Sequence, residues 1–169
     1  MKYIVLLLSL LIVFTSPSFA KRIHKACKVI SATEVNSILG SNVVAPKPLP
    51  KGDSCEYKSA NGYIKVVVSY VTFKDEESAL ATQKKKHDEY LATVKQGNKV
   101  LNEYTVLGTV PGADSNAYYM TGDGSVAAGP NTVCLQFVLG KYIITFHTQG
   151  MMKTMVVPRL GEIYKAITD

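Results

Sequence analysis

The hydrophobic pattern of the chain changes period several times, and each change marks an element. Val35, Ile38 and Leu39 fall at helical spacing behind Ser31-Ala32-Thr33-Glu34, a capping box, and ahead of Gly40, a residue suited to a left-handed stop. This predicts a short helix over 31–39. Residues 45–53 carry three prolines and a glycine and predict an extended connection outside any helix or central strand. Strict alternation then runs through Cys55 and Tyr57 and again through Ile64, Val66, Val68 and Tyr70, on either side of Asn61-Gly62. That dipeptide predicts a two-residue type I′ hairpin, in which Tyr57 faces Val66 and Cys55 faces Val68. The apolar residues share one face, where the first helix packs, while Glu56, Lys58 and Lys65 occupy the other.

After Phe73 the pattern predicts a long polar helix over about 75–95, with Asp75 as its cap and Glu76 and Glu77 in the first turn, where the macrodipole favours acids. Leu80, His87, Leu91 and Val94 lie near one side of it, and His87 is expected to be a half-buried packing residue. Short strands follow at 104–107, 117–120 and 125–128, separated by glycine-bearing turns. A second hairpin, 132–139 with 142–148, turns at Gly140-Lys141 in a type II′ geometry. Its register sets Leu135 against Phe146, Phe137 against Ile144 and Leu139 against Tyr142 on one apolar face. The other face pairs Val138 with Ile143, Gln136 with Thr145, and Cys134 with His147. A last helix, 153–167, turns Val156, Leu160, Ile163 and Tyr164 inward. The sum is an α+β fold, an antiparallel sheet of two hairpins plus a short strand pair flanked by three helices.

Composition changes this picture mainly at the N-terminus. Met1, Lys2, the apolar run Tyr3–Phe14 and the small residues before Ala20 have the three-part pattern of a secretory signal peptide. The run is too short to cross a bilayer, which takes roughly 20 residues. Removing residues 1–20 of the 169 leaves 149, and because Lys2 is the sole charge removed, the net charge falls from +6 to +5. The expectation is a single globular α+β domain over 21–169, periplasmic or secreted, with no transmembrane segment in the mature chain. The charge is mild and not arranged in the basic, aromatic-interleaved stripe of a nucleic-acid binder, so nucleic acid is not expected as a partner. Lys84-Lys85-Lys86 is the one tight basic run; it reads as a solvated helix face, with an anionic-surface patch as the rival.

Three cysteines in an oxidising compartment give one disulfide and one odd thiol, with three pairings open. Cys55 lies on the buried hairpin face and Cys27 just ahead of the helix that covers it, which favours Cys27 with Cys55. Cys134 is then left opposite His147, with Cβ atoms about 4.5–5.5 Å apart. An imidazole beside a thiol favours the thiolate, so this pair is the candidate reactive or redox-active site; packing of a leftover cysteine under a helix and an intermolecular disulfide are the rivals. Met151, Met152 and Met155 near His147 are a weaker candidate for monovalent copper, since thioether and imidazole are soft ligands. Methionine also fills irregular apolar gaps. There is no GxSxG, CxxC or HExxH motif and no phosphate-cradling glycine loop, so no catalytic set and no cofactor is expected.

The order Cys27-Lys-Val-Ile-Ser-Ala-Thr-Glu-Val-Asn-Ser-Ile-Leu-Gly40, then Ser54-Cys55-Glu-Tyr57 entering a hairpin, then Val110-Pro-Gly-Ala-Asp-Ser-Asn-Ala-Tyr118, resembles small exported bacterial domains of unknown function, the LpqN-like lipoproteins with a PsbP-like fold. The resemblance implies a helix-flanked antiparallel sheet and a link between Cys27 and Cys55. It supplies no catalytic residues, and the lipid-anchor cysteine is missing here. The functional expectation is an exported, non-enzymatic binding or interaction module that meets an envelope or secreted partner. The alternatives are a thiol-reactive or redox protein using Cys134 and His147, or a copper binder using the methionines.

Overall fold

The computed structural model describes residues 25–95, 106–122 and 131–169. The segment expected to be a signal peptide and the strand expected at 125–128 lie outside them. Seven strands form one sheet: β1 (Lys47–Pro48), β2 (Ser54–Lys58), β3 (Lys65–Thr72), β4 (Val106–Thr109), β5 (Tyr118–Thr121), β6 (Val133–Leu139) and β7 (Tyr142–Gln149). Their order is β1-β2-β3-β7-β6-β5-β4, and every neighbouring pair is antiparallel. The helices are α1 (Ala32–Leu39), α2 (Glu76–Lys95) and a C-terminal segment made of α3 (Lys153–Val156), a 3₁₀ turn and α4 (Leu160–Thr168). The fold is therefore α+β.

Local signals account for the termini of α1. Ser31 Oγ accepts from Glu34 N at 3.1 Å, Glu34 Oε2 accepts from Ser31 N at 2.7 Å, and Gly40 stops the helix at φ 61°. Both hairpins have the expected register, with Cys55 opposite Val68 and Leu135 opposite Phe146. The first turn differs in type. Gly62 N donates to Ser59 O at 2.8 Å and Ser59 N to Ile64 O at 2.9 Å, and within the loop Gly62 alone has positive φ. Asn61 closes the loop with its side chain, Oδ1 accepting from Ser59 Oγ at 2.6 Å and Tyr63 N at 3.1 Å. The loop widens by one residue on each side, so the register survives. In the second hairpin Gly140 alone takes positive φ, as a type II′ turn requires.

The two hairpins join through β3 and β7, which pair over eight residues from Lys65–Gln149 to Thr72–Tyr142. One face of the sheet carries the main core. There Tyr57, Val66, Val68, Leu135, Phe137, Ile144 and Phe146 are fully buried under Val35 and Leu39 of α1 and Val156, Leu160, Ile163 and Ile167 of the C-terminal segment. That segment was expected as one helix, and Pro158, which has no N–H to donate, divides it. The proline-rich connection contributes β1, a two-residue strand at the edge of the sheet, where proline is tolerated. The strand expected at 104–107 is observed at Val106–Thr109.

On the opposite face α2 lies over β6, β7 and β4, burying Ala79 against Val138 and Ile143. Its inward positions are Ala79 and Gln83, with His87 half-buried one turn on, while Leu80 is 36% exposed. Of the expected stripe, His87 and Leu91 are half-buried, whereas Leu80 yields the inward place to Ala79. Asp75 Oδ1 accepts from Ser78 N at 2.8 Å at the helix start. Away from α2, Glu56 bonds Lys58 at 2.9 Å and Lys65 at 3.0 Å, and those hydrogen bonds hold its carboxyl below the usual range.

Tyr57 crosses the main core to donate its hydroxyl to Ile30 O at 2.6 Å. Burial pushes its pKa up to about 12; burial and the bond to Asp114 do the same for Tyr164. Unfolded tyrosines ionise near pH ~10, so between there and pH 12 the unfolded state holds fewer protons and stability falls as pH rises. Unfolding by urea from pH 7 to 11.5 should show flat stability to about pH 9 and a decline beyond it. Tyr57→Phe should reduce that slope and cost about 1–2 kcal/mol at pH 7, because Ile30 O loses its buried donor. A slope unchanged by the substitution would count against this origin.

Candidate functional site

Four residues of α2, Leu80, Gln83, Lys84 and His87, stand at i, i+3, i+4 and i+7 and form one wall of a cleft. Opposite them are Thr109 at the end of β4 and the stretch Ser115, Asn116, Ala117 and Tyr118 that leads into β5. The cleft has a volume of about 270 Å³. Its far wall is set by a turn in which Ala113 N donates to Val110 O at 3.3 Å, with Pro111 and Gly112 at the centre and Gly112 at φ 72°. Ala117 N then donates to Asp114 O at 2.9 Å, and Tyr164 reaches from α4 to bond Asp114 Oδ2 at 2.7 Å.

Polar order in the cleft is dense. Gln83, 3% exposed, donates Nε2 to Asn116 O at 2.7 Å and ties the two walls together. His87 sits edge-on to Tyr118, ring centroids 4.9 Å apart. Tyr118 donates to Gln136 Oε1, whose Nε2 donates to Thr145 Oγ1 at 3.2 Å, so a hydrogen-bonded row runs across three strands. Lys84 Nζ is held by Asp88 Oδ2 at 2.7 Å, and that contact, with a second to His87, keeps the Asp88 carboxyl below its ordinary range. The exception to this order is Asn116 Oδ1, a buried acceptor with no hydrogen-bond partner.

Of the residues singled out from the sequence, Cys27 and Cys55 are joined by a disulfide, sulfurs 2.03 Å apart. Cys134 and His147 are direct cross-strand partners on the α2 side of the sheet. Cys134 is 4% exposed and packs with Tyr118, Met120 and Leu107, surroundings in which thiols are generally inert. At neutral pH iodoacetamide should alkylate Cys134 in the native protein at least roughly a hundredfold more slowly than in urea, because access requires opening of the sheet. Rapid native alkylation would favour the reactive-thiol alternative. The methionines and His147 are not brought together. Met151 is buried in the main core, Met152 and Met155 are 56% and 48% exposed, and His147 points to the other face of the sheet. Among the described residues no group of three or more His, Cys, Asp or Glu could hold a metal ion.

The cleft itself was not legible as a site. Leu80 and His87 carry a signal in the sequence as part of a helix stripe and Lys84 as part of a basic run, whereas Gln83, Thr109 and Asn116 carry none singly. The usable signal was the i, i+3, i+4, i+7 spacing of Leu80, Gln83, Lys84 and His87 combined with a polar Asp114-Ser115-Asn116 stretch just before a strand.

No family model matches the chain, and no curated protein matches it. Among solved structures it is similar to the extracellular domain of PknH from Mycobacterium tuberculosis, with 14% identity, 83% of this chain and 90% of that chain covered, and a TM-score of 0.48. Among the described residues no helix is long and apolar enough to cross a membrane.

Proposed function

We propose that the chain is an exported, non-enzymatic binding module, one domain over residues 21–169 once the leader is removed, and that its ligand sits in the cleft between α2 and β5. The observation that carries this reading is the cleft itself, a recess of about 270 Å³ in which Leu80 and the His87 ring stand beside the hydroxyls of Thr109 and Ser115. Gln83 and the Tyr118–Gln136 bond hold the walls in place, so the cleft is pre-organised rather than recruited. Export is supported by the leader pattern and by the Cys27–Cys55 bond, which persists in oxidising compartments. The LpqN-like resemblance agrees with such a module and adds no chemistry to it.

The test is titration of the ¹⁵N-labelled mature protein with a soluble cell-envelope extract of its own organism. Saturable amide shifts confined to Gln83, His87, Thr109, Asn116 and Tyr118 are expected. Shifts elsewhere, or none, would remove the cleft as the binding site.

A further inference from the structure

We infer that Met152 and Met155 form a reversible oxidation site, which takes an oxygen atom from a peroxide and gives it up to methionine sulfoxide reductases. The site belongs to the segment that covers the main core, on the opposite side of the sheet from α2, and stands whether or not the cleft binds a ligand. The fold sorts the sulfur of the chain by exposure. Of the five methionines, Met1 lies in the expected leader, while Met120 and Met151 are buried in apolar clusters, the usual place for the residue. Met152 and Met155 are exposed, at 56% and 48%. Cysteine does not compete with them, because Cys27 and Cys55 are joined in a disulfide and Cys134 is buried. Oxidation by a dissolved oxidant follows exposure, so among the described residues these two thioethers are the accessible sulfur. They stand three residues apart at the start of α3, where Met155 N and Val156 N donate to Met152 O at 2.9 and 3.2 Å. Neither fills the core, since the inward places of this turn go to Met151 and Val156.

The step is a two-electron oxygen transfer. A thioether lone pair attacks one oxygen of hydrogen peroxide; the S–O bond forms as the O–O bond breaks, and the departing hydroxide takes up the proton of the transferred oxygen and leaves as water. Sulfur is oxidised to the sulfoxide and the peroxide is reduced. Two thiols of a reductase reverse the step, removing the oxygen as water and closing to a disulfide, with one reductase for each sulfoxide epimer. No acid, base or metal of the protein takes part, so exposure selects the sulfur. The sulfoxide is polar where the thioether is apolar. At the two exposed positions its oxygen reaches water without entering the core, so the fold stands. Met155 also lines a groove of about 480 Å³ between α1 and the C-terminal segment, beside Ile38, Leu39 and Pro158, and its oxidation makes that apolar lip polar.

The experiment treats the full mature chain with excess hydrogen peroxide at neutral pH, stops samples with catalase at intervals, and reads them by mass spectrometry after trypsin. Met155 lies in the peptide Thr154–Arg159, and fragmentation separates Met151 from Met152 within Tyr142–Lys153. Met152 and Met155 should each gain oxygen at least about fivefold faster than Met120 and Met151, and in urea the four rates should converge. A smaller native ratio for either residue, or a ratio that persists in urea, overturns the site. With both residues oxidised, retention on a hydrophobic-interaction column should shorten and the melting temperature should move by less than about 3 °C. A larger fall would mean that the two thioethers pack the fold, and overturns the assignment of a surface site. The two reductases with dithiothreitol should then restore the original mass and retention; sulfoxides that resist both overturn reversibility. Met152→Leu/Met155→Leu keeps the apolar surface and lacks the sulfur, so the rapid phase of oxygen uptake should vanish. A rapid phase that remains in this variant overturns the assignment, and the wild-type rates decide the matter without the variant if it misfolds.

Discussion

Reduction of the Cys27–Cys55 bond should lower the melting temperature by about 8–15 °C while leaving the protein folded at 25 °C. The bond closes a loop of 28 residues, for which the chain-entropy model gives about 3–4 kcal/mol of stabilisation. The effect is large because of what the loop contains. Ala26, Val29, Ile30, Val35 and Leu39 all lie within it, or at its start, and are buried over β2 and β3, yet the segment has few backbone bonds to the sheet. Apolar burial and the Tyr57–Ile30 hydrogen bond still hold it when the covalent tie is gone, which is why folding survives at low temperature. The measurement is calorimetry of the mature protein with and without reductant, beside Cys27→Ser/Cys55→Ser and Cys134→Ala. The double variant should melt with the reduced protein, and Cys134→Ala should lose its stability through packing and remain reductant-sensitive. A shift below about 3 °C on reduction would mean that the N-terminal segment is held by packing alone.

Local chemistry made the hairpins and α1 readable. Two-residue turn signals fix the sum of paired residue numbers, so Cys55–Val68 and Leu135–Phe146 follow from the positions of two dipeptides, even where the first turn adopts a wider form. The capping box at Ser31 and the stop at Gly40 work in the same short-range way. What the sequence did not disclose is how these units meet. The β3–β7 pairing brings together residues about 80 positions apart, and nothing in either strand marks the other as its neighbour. The inward start of α2 was hidden for a related reason. Its inward residues are Ala79 and Gln83, small and polar, chosen by the fit to Val138, Ile143 and Asn116 rather than by hydrophobicity. The cleft inherits both uncertainties, because one wall belongs to α2 and the other to β4 and β5 at the far edge of the sheet.

The β3–β7 junction has its own sensitive point, and Gly150→Ala should be among the most damaging single methyl additions in the chain, at about 2–5 kcal/mol. Gly150 follows β7 directly and has φ 78°, a conformation that costs an L-residue about 1–2 kcal/mol by itself. A Cβ there would also stand 2.2 Å from Tyr63 O, 3.0 Å from Tyr63 C and 3.4 Å from Ile64 Cα. Those are backbone atoms at the tip of the first hairpin, so no side chain can rotate out of the way; either the loop 60–63 moves or the end of β7 does. Relief by movement of the loop would pull on Ser59–Ile64 and loosen the last rungs of β3 against β7, adding about 1–3 kcal/mol of overpacking cost. Gly62→Ala isolates the conformational share, since Gly62 has φ 70° and nothing within 4 Å of its Cβ position. Urea unfolding should therefore place Gly150→Ala at no less than twice the loss of Gly62→Ala. Equal losses would show that the hairpin tip does not press on the end of β7 in solution, and that the two hairpins are joined by the strand pairing alone.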